Sequence, residues 1–131
     1  MAVPNFFRKP YGPGWVLVGD AGYHKDPITA QGITDAFRDA ELVADAVDAG
    51  LSGKRSIDEV MAKYEQRRNE AAFPIYEFTC QLAALEPPPP ETQQLFAALR
   101  HDQEQTNRFF GVMAGTVPVV EFFAPDNIGR I

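Results

Sequence analysis

A mainly helical fold is what this 131-residue sequence predicts: one short buried strand, then three long helices and an apolar tail. Three observations lead there. Apolar residues recur at helical spacing over most of the chain beyond Gly32. A capping sequence, Ser56-Ile57-Asp58-Glu59, opens the second of these stretches. Only one run, Trp15-Val16-Leu17-Val18, has the bulky, β-branched continuity of a strand.

Residues 1–14 contain Pro4, Pro10, Gly12, Pro13 and Gly14 and read as an extended, turn-rich lead-in. The Trp15–Val18 run is bounded by Gly14 and Gly19, so it reads as a strand buried on both faces, with almost no other strand to pair with. From Gly32 to about Ala49, the positions Ile33, Phe37, Ala40, Ala44, Val47 and Leu51 form an apolar helical stripe. Asp35, Arg38, Asp39, Asp45 and Asp48 fall mainly between them, and Gly50 reads as the residue just past the helix end. In the helix capped by Ser56, Ile57, Val60, Met61, Tyr64, Ala71, Ile75, Phe78, Leu82 and Leu85 are expected on one side, and Pro74 is expected to kink it. Lys63, Arg67 and Arg68 read as its solvated face. Pro87 to Pro90 must end that helix. A third runs from about Glu91 to Met113, with Leu95, Phe96, Leu99, Thr106, Phe109, Phe110 and Met113 on its apolar stripe. The tail Val117–Phe123 either packs back on the helices or forms an interface.

Hydrophobic residues make up 45% of the chain, enough for one core, so one domain is expected. A net charge of −6 argues against a nucleic-acid partner, because no surplus of Lys and Arg is available to neutralise phosphates. Arg8 and Lys9 beside Phe6, Phe7 and Tyr11 read as ordinary surface packing. Cys80 is the only cysteine; it excludes an internal disulfide, reads as an inert buried thiol and fits a reducing cytoplasm. No apolar run suggests a signal peptide or a membrane span. His24, His101 and Cys80 are too scattered for a structural zinc site, and the two histidines read as surface residues.

The chemistry concentrates between Gly19 and Ile33. An aspartate at a strand's C-terminal end, Asp20, can accept hydrogen bonds from sugar-like hydroxyls. The first turn of the next helix, at Gly32, Ile33 and Thr34, presents amides that favour negative charge. Gly32 would let a flat ligand approach the backbone, and Pro27 and Gln31 stiffen and line the intervening loop.

Gly19-Asp20, then Pro27, then Gly32-Ile33 and Asp39-Ala40, resembles the second flavin-binding motif of FAD-dependent monooxygenases of the p-hydroxybenzoate-hydroxylase-like class. The phrase from Gly19 to Ile33 also looks like a bacterial branch of FAD-dependent oxidoreductases. The resemblance implies that Asp20 binds the ribityl hydroxyls of FAD and Pro27 lies near the isoalloxazine ring. It implies too that the Gly32 and Ile33 amides face the pyrimidine edge of the flavin, where reduction places negative charge. Such enzymes use NAD(P)H and oxygen to oxygenate a small organic substrate. Departures from the family pattern are specific. The Gly-x-Gly-x-x-Gly turn that grips the FAD pyrophosphate is absent, Tyr23 stands where many members have histidine, and Thr29 stands where some have glycine. The expectation is therefore a single partial domain over residues 1–131: residues 1–31 form the lead-in, strand and flavin-contacting loop, and residues 32–131 the helical region. It resembles the C-terminal portion of an α/β, Rossmann-like FAD-binding fold, whether as a truncated gene, a split protein or a fragment. Alone it is expected to bind FAD weakly or not at all and to be inactive, with no residue assigned a catalytic role. Its expected partner is a separate polypeptide carrying the dinucleotide-binding half, or a second copy. The alternative is a non-catalytic helical interaction module of the same descent.

Overall fold

A computed structural model describes residues 3–131; residues 1 and 2 of the lead-in lie outside the described residues. Helix accounts for 64% of the chain and strand for only 6%, so the fold is mainly α. The chain divides into two compact units, Met1–Cys80 and Gln81–Ile131.

In the first unit, β1 (Phe6–Phe7) pairs antiparallel with β4 (Tyr23–His24), and β2 (Tyr11–Gly12) pairs antiparallel with β3 (Trp15–Val16). The expected strand at 15–18 is thus shorter and less buried than its composition suggests. Trp15 is 48% exposed and Val18 is exposed too. The reason is local: Pro13-Gly14, with Gly14 at φ 79°, turns the chain back so that Tyr11 faces Val16. The run therefore becomes the return arm of a hairpin, not a central strand. Two 3₁₀ turns follow, Gly19–Ala21 and Pro27–Thr29, on either side of β4.

Helix α1 spans Gly32–Leu51 and α2 spans Ile57–Ala83, continuing through Pro74. Ser56 Oγ accepts the Glu59 amide at 3.2 Å, but the Glu59 carboxylate turns to Arg55, so only half of the capping box forms. Gly50 lies inside α1, not past its end. A β-carbon there would come 2.3 Å from Ile57 Cδ1, so the glycine lets the start of α2 cross closely. Ala46, Val60, Met61 and Tyr64 form the buried core of this unit, with Leu42, Val43 and Val47 packed on it.

The face that α1 buries is the main surprise. Ile33 and Phe37 are 75% and 74% exposed and Leu51 is 78% exposed, while Asp35 and Asp39 are buried. Ala40 and Ala44 are exposed as well. Apart from Val47, which packs on the core, the apolar stripe expected to face inward thus faces outward, and Asp35 and Asp39 turn inward because Lys25, Arg38 and the Gly19 amide meet them there.

In the second unit, the helix expected over 91–113 is two: α3 (Pro90–Leu99) and α4 (Gln103–Met113). Asp102 breaks the run by capping α4, its Oδ1 accepting the Gln105 amide at 2.9 Å. The break lets Leu99, Val112 and Phe122 converge. The apolar tail does pack back, through α5 (Val119–Phe122) and α6 (Pro125–Ile128), with Phe122 fully buried against Phe109.

Candidate flavin-facing site

The Gly19–Ala21 turn lies against the start of α1. Gly19 is buried with φ 53°, and its amide donates to Asp39 Oδ2 at 3.1 Å. A β-carbon at Gly19 would lie 3.0 Å from Ala36 Cβ, so both conformation and space select glycine. Gly19→Ala is expected to destabilise the chain by about 2 kcal/mol, combining the left-handed penalty with the Ala36 contact. Urea melts followed through Trp15 fluorescence would measure this; an unchanged midpoint would contradict it.

This fixed turn exposes Asp20 beside the opening of α1. A β-carbon at Gly32 would meet one atom only, Asp20 Oδ1, at 3.7 Å. Carboxylate and helix start therefore share one edge, separated by the width of an absent side chain. Gln31 precedes the helix, buried and making no side-chain cap, so the first-turn amides have no capping oxygen from it. Gly32, Ile33 and Thr34 are exposed, as is Pro27. Pro27 opens the second 3₁₀ turn, where Asp26 Oδ1 caps the Ile28 amide at 3.0 Å and the Asp26 amide donates to Asn5 Oδ1 at 2.7 Å. Of the expected site residues, Asp20 and Gly32 are directly juxtaposed, Ile33 continues the same edge, and Gln31 lies buried beneath it. Gly19 supports the edge from inside.

Beside the edge lies a buried charged network that the helical spacing alone did not reveal. Lys25 pairs with Asp35, and Arg38 reaches Asp35 at 2.9 Å, Asp39 at 3.6 Å and the Tyr23 hydroxyl at 2.7 Å. Arg68, read as part of a solvated face, is fully buried beside the stacked rings of Phe7 and Tyr23, 5.3 and 5.5 Å from their ring centres. It donates to the Arg8 carbonyl and to Asn69. Lys63 and Arg67 are exposed as expected. Burial holds the Asp39 carboxyl above the usual carboxylate range, opposed by the Gly19 amide and Arg38. Burial also raises the Tyr23 phenol, reinforced by Asp35, and pushes Tyr64 up to about 12. Tyr64 donates to the Leu17 carbonyl at 2.6 Å, tying α2 to the segment that enters the Gly19 turn. The sequence signal that was available is the Asp35–Asp39 spacing of one helical turn with Arg38 between.

His24 stacks on Phe6 and its Nδ1 donates to the Pro4 carbonyl at 2.8 Å, an arrangement that holds the lead-in. Cys80 is half-buried, not buried. A mixed-charge groove between α1 and α2, lined by Arg38, Glu41, Asp45, Arg67 and Glu70, includes none of the expected site residues. Among the described residues no helix is long and apolar enough to cross a membrane. No cluster of three or more His, Cys, Asp or Glu side chains able to hold a metal occurs among them either.

The Asp20 carboxylate and the exposed start of α1 thus share one edge of the first unit. The family model of squalene epoxidase matches residues 6–85, well over half of the chain, and covers this whole edge. The chain belongs to the squalene epoxidase family, which is linked to FAD-dependent monooxygenases. No curated protein and no solved structure matches it.

Proposed function

We propose that this chain is the flavin-contacting, C-terminal part of an FAD-dependent monooxygenase of the p-hydroxybenzoate-hydroxylase-like class. It would use NAD(P)H and oxygen on a small organic substrate, in the cytoplasm, and be inactive by itself. The observation that carries the reading is the Asp20 carboxylate beside Gly32 at the exposed start of α1. The residues present fit the cofactor: the space a β-carbon would fill at Gly32 is open to a flat ring. FAD, when bound, supplies the redox chemistry that joins NAD(P)H oxidation to oxygen transfer. Asp20 accepts hydrogen bonds from the ribityl hydroxyls, and the Gly32 and Ile33 amides meet negative charge at the pyrimidine edge. Pro27 flanks the ring, Gln31 supports the loop, and Gly19 holds Asp20 in place.

The chain has no Gly-x-Gly-x-x-Gly turn to hold the pyrophosphate. A separate polypeptide with that turn is the proposed partner, and the outward apolar stripe Ile33, Phe37, Ala40, Ala44 and Leu51 supports such a contact. The same stripe favours a second reading, a non-catalytic helical interaction module, with self-association as its simplest form. Light scattering separates the two: a stable homodimer indifferent to FAD favours the module.

FAD titrated into the ¹⁵N-labelled chain is expected to shift the amides of Asp20 and Gly32–Thr34, with a dissociation constant far above micromolar. Asp20→Ala should abolish those shifts while leaving the rest of the spectrum in place. Tight binding with a changed visible spectrum would contradict the incapacity of the chain alone. Shifts that fall elsewhere and leave Asp20 and Gly32–Thr34 unmoved would remove the flavin reading of this edge.

A further inference from the structure

The Pro27–Ala30 loop is anchored at a point no motif explains. Thr29 Oγ1 lies 2.8 Å from Thr79 Oγ1, and both residues are buried. Thr79 spends its single hydroxyl proton on the Ile75 carbonyl at 2.6 Å, so Thr29 must donate to Thr79. A hydroxyl on α2 thereby fixes the end of the 3₁₀ turn that carries Pro27. The next residue, Ala30, sits at φ 54°, the left-handed region that a residue with a β-carbon enters only under constraint. Its amide closes the turn on the Pro27 carbonyl at 2.8 Å. Lys25 and Asp35 join the two feet of this arch, and Asn5 holds its leading side through the Asp26 amide. The Thr29–Thr79 bond is the tie at its crown.

We infer that Thr79 is a positioning residue: acting through Thr29, it holds Ala30 in the left-handed conformation and so sets Pro27 relative to the start of α1. Without the tie, Ala30 gains by leaving that conformation, and the peptide between Thr29 and Gln31 reorients. The consequence for flavin rests on the function proposed above; the tie and its effect on the loop do not.

The test uses amide hydrogen exchange and FAD titration of the full chain carrying Thr79→Val, Thr79→Ser or Thr29→Val. Thr79→Val, which keeps the shape and removes the hydroxyl, is expected to speed exchange at Ala30 about tenfold while leaving Met61 and Tyr64 unchanged. Thr29→Val should give the same effect, the double variant should add little, and Thr79→Ser should restore protection. Adding Ala30→Gly to Thr79→Val should recover part of the protection, since glycine meets no penalty at that φ. In the FAD arm, Thr79→Val should weaken the shifts of Ile28 and Gly32 about tenfold in dissociation constant, with Thr79→Ser again restoring them. Unchanged exchange at Ala30, or equal acceleration throughout α2, would overturn the positioning role whatever FAD does. A wild-type chain whose amides ignore FAD would instead overturn the flavin consequence while the exchange result stands.

Discussion

Phe122→Ala is expected to cost the Gln81–Ile131 unit about 3–5 kcal/mol, enough to unfold a unit of this size. Phe122 is fully buried, packs with Leu99 and Val112, and has ring neighbours Phe109 at 5.6 Å and Phe123 at 5.1 Å. Removing it empties the centre of a small core whose other members cannot close the space. The α5 backbone carrying it is four residues long and contributes little stability of its own. The measurement is amide exchange at Val112 alongside far-ultraviolet circular dichroism. Protection at Val112 is expected to vanish while that at Tyr64, in the other unit, persists. Retention of Val112 protection would show that Phe122 is not the keystone of this core.

Asp39→Ala is expected to cost about 3 kcal/mol, because it leaves the buried Gly19 amide without its acceptor and takes one carboxylate from Arg38. Asp39→Asn should cost less, since an amide oxygen can still accept from Gly19. The two forms also differ in pH dependence. Burial, outweighing the Gly19 amide and Arg38, raises the Asp39 carboxyl on folding. The native chain therefore holds that proton more tightly than the unfolded chain does. The resulting stabilisation is fully present below the unfolded carboxylate range and is lost as pH rises through the raised folded value. Asparagine does not titrate, so wild type should lose stability relative to Asp39→Asn as pH climbs across that window. Urea midpoints of both proteins at a series of pH values test the sign; a gap moving the other way would show that Arg38 dominates over burial.

Local sequence made some elements readable and long-range pairing hid others. The helix from Gly32 and the one capped by Ser56 were legible because spacing and capping act within a few residues. The hairpin was missed at Trp15 because an apolar β-branched run looks the same whether its partner is a whole sheet or one short arm. The break at Asp102 was overlooked because a capping aspartate is also an ordinary surface residue in a helix. On α1 the reading of the faces inverted. Asp35 and Asp39 look like solvent-facing charges until Lys25 and the Gly19 amide arrive from outside the helix, and no periodicity reports that arrival. Arg68 was misplaced for the same reason, since the stacked Phe7 and Tyr23 rings beside which it is buried lie far away in sequence. The Asp20–Gly32 edge was legible because its spacing is set by one loop and one helix start. Thr29 was visible only as a departure from the family pattern; its partner Thr79 lies fifty residues on.

The inside-out character of α1 carries a calorimetric consequence. Ile33, Phe37 and Leu51 are already hydrated in the native chain, so unfolding the Met1–Cys80 unit wets less new apolar surface than its composition implies. Its heat-capacity increment and its denaturant sensitivity should both fall below the usual per-residue values. Covering the stripe would restore them, so the curvature of the thermal stability profile becomes a gauge of whether that helix has found its cover.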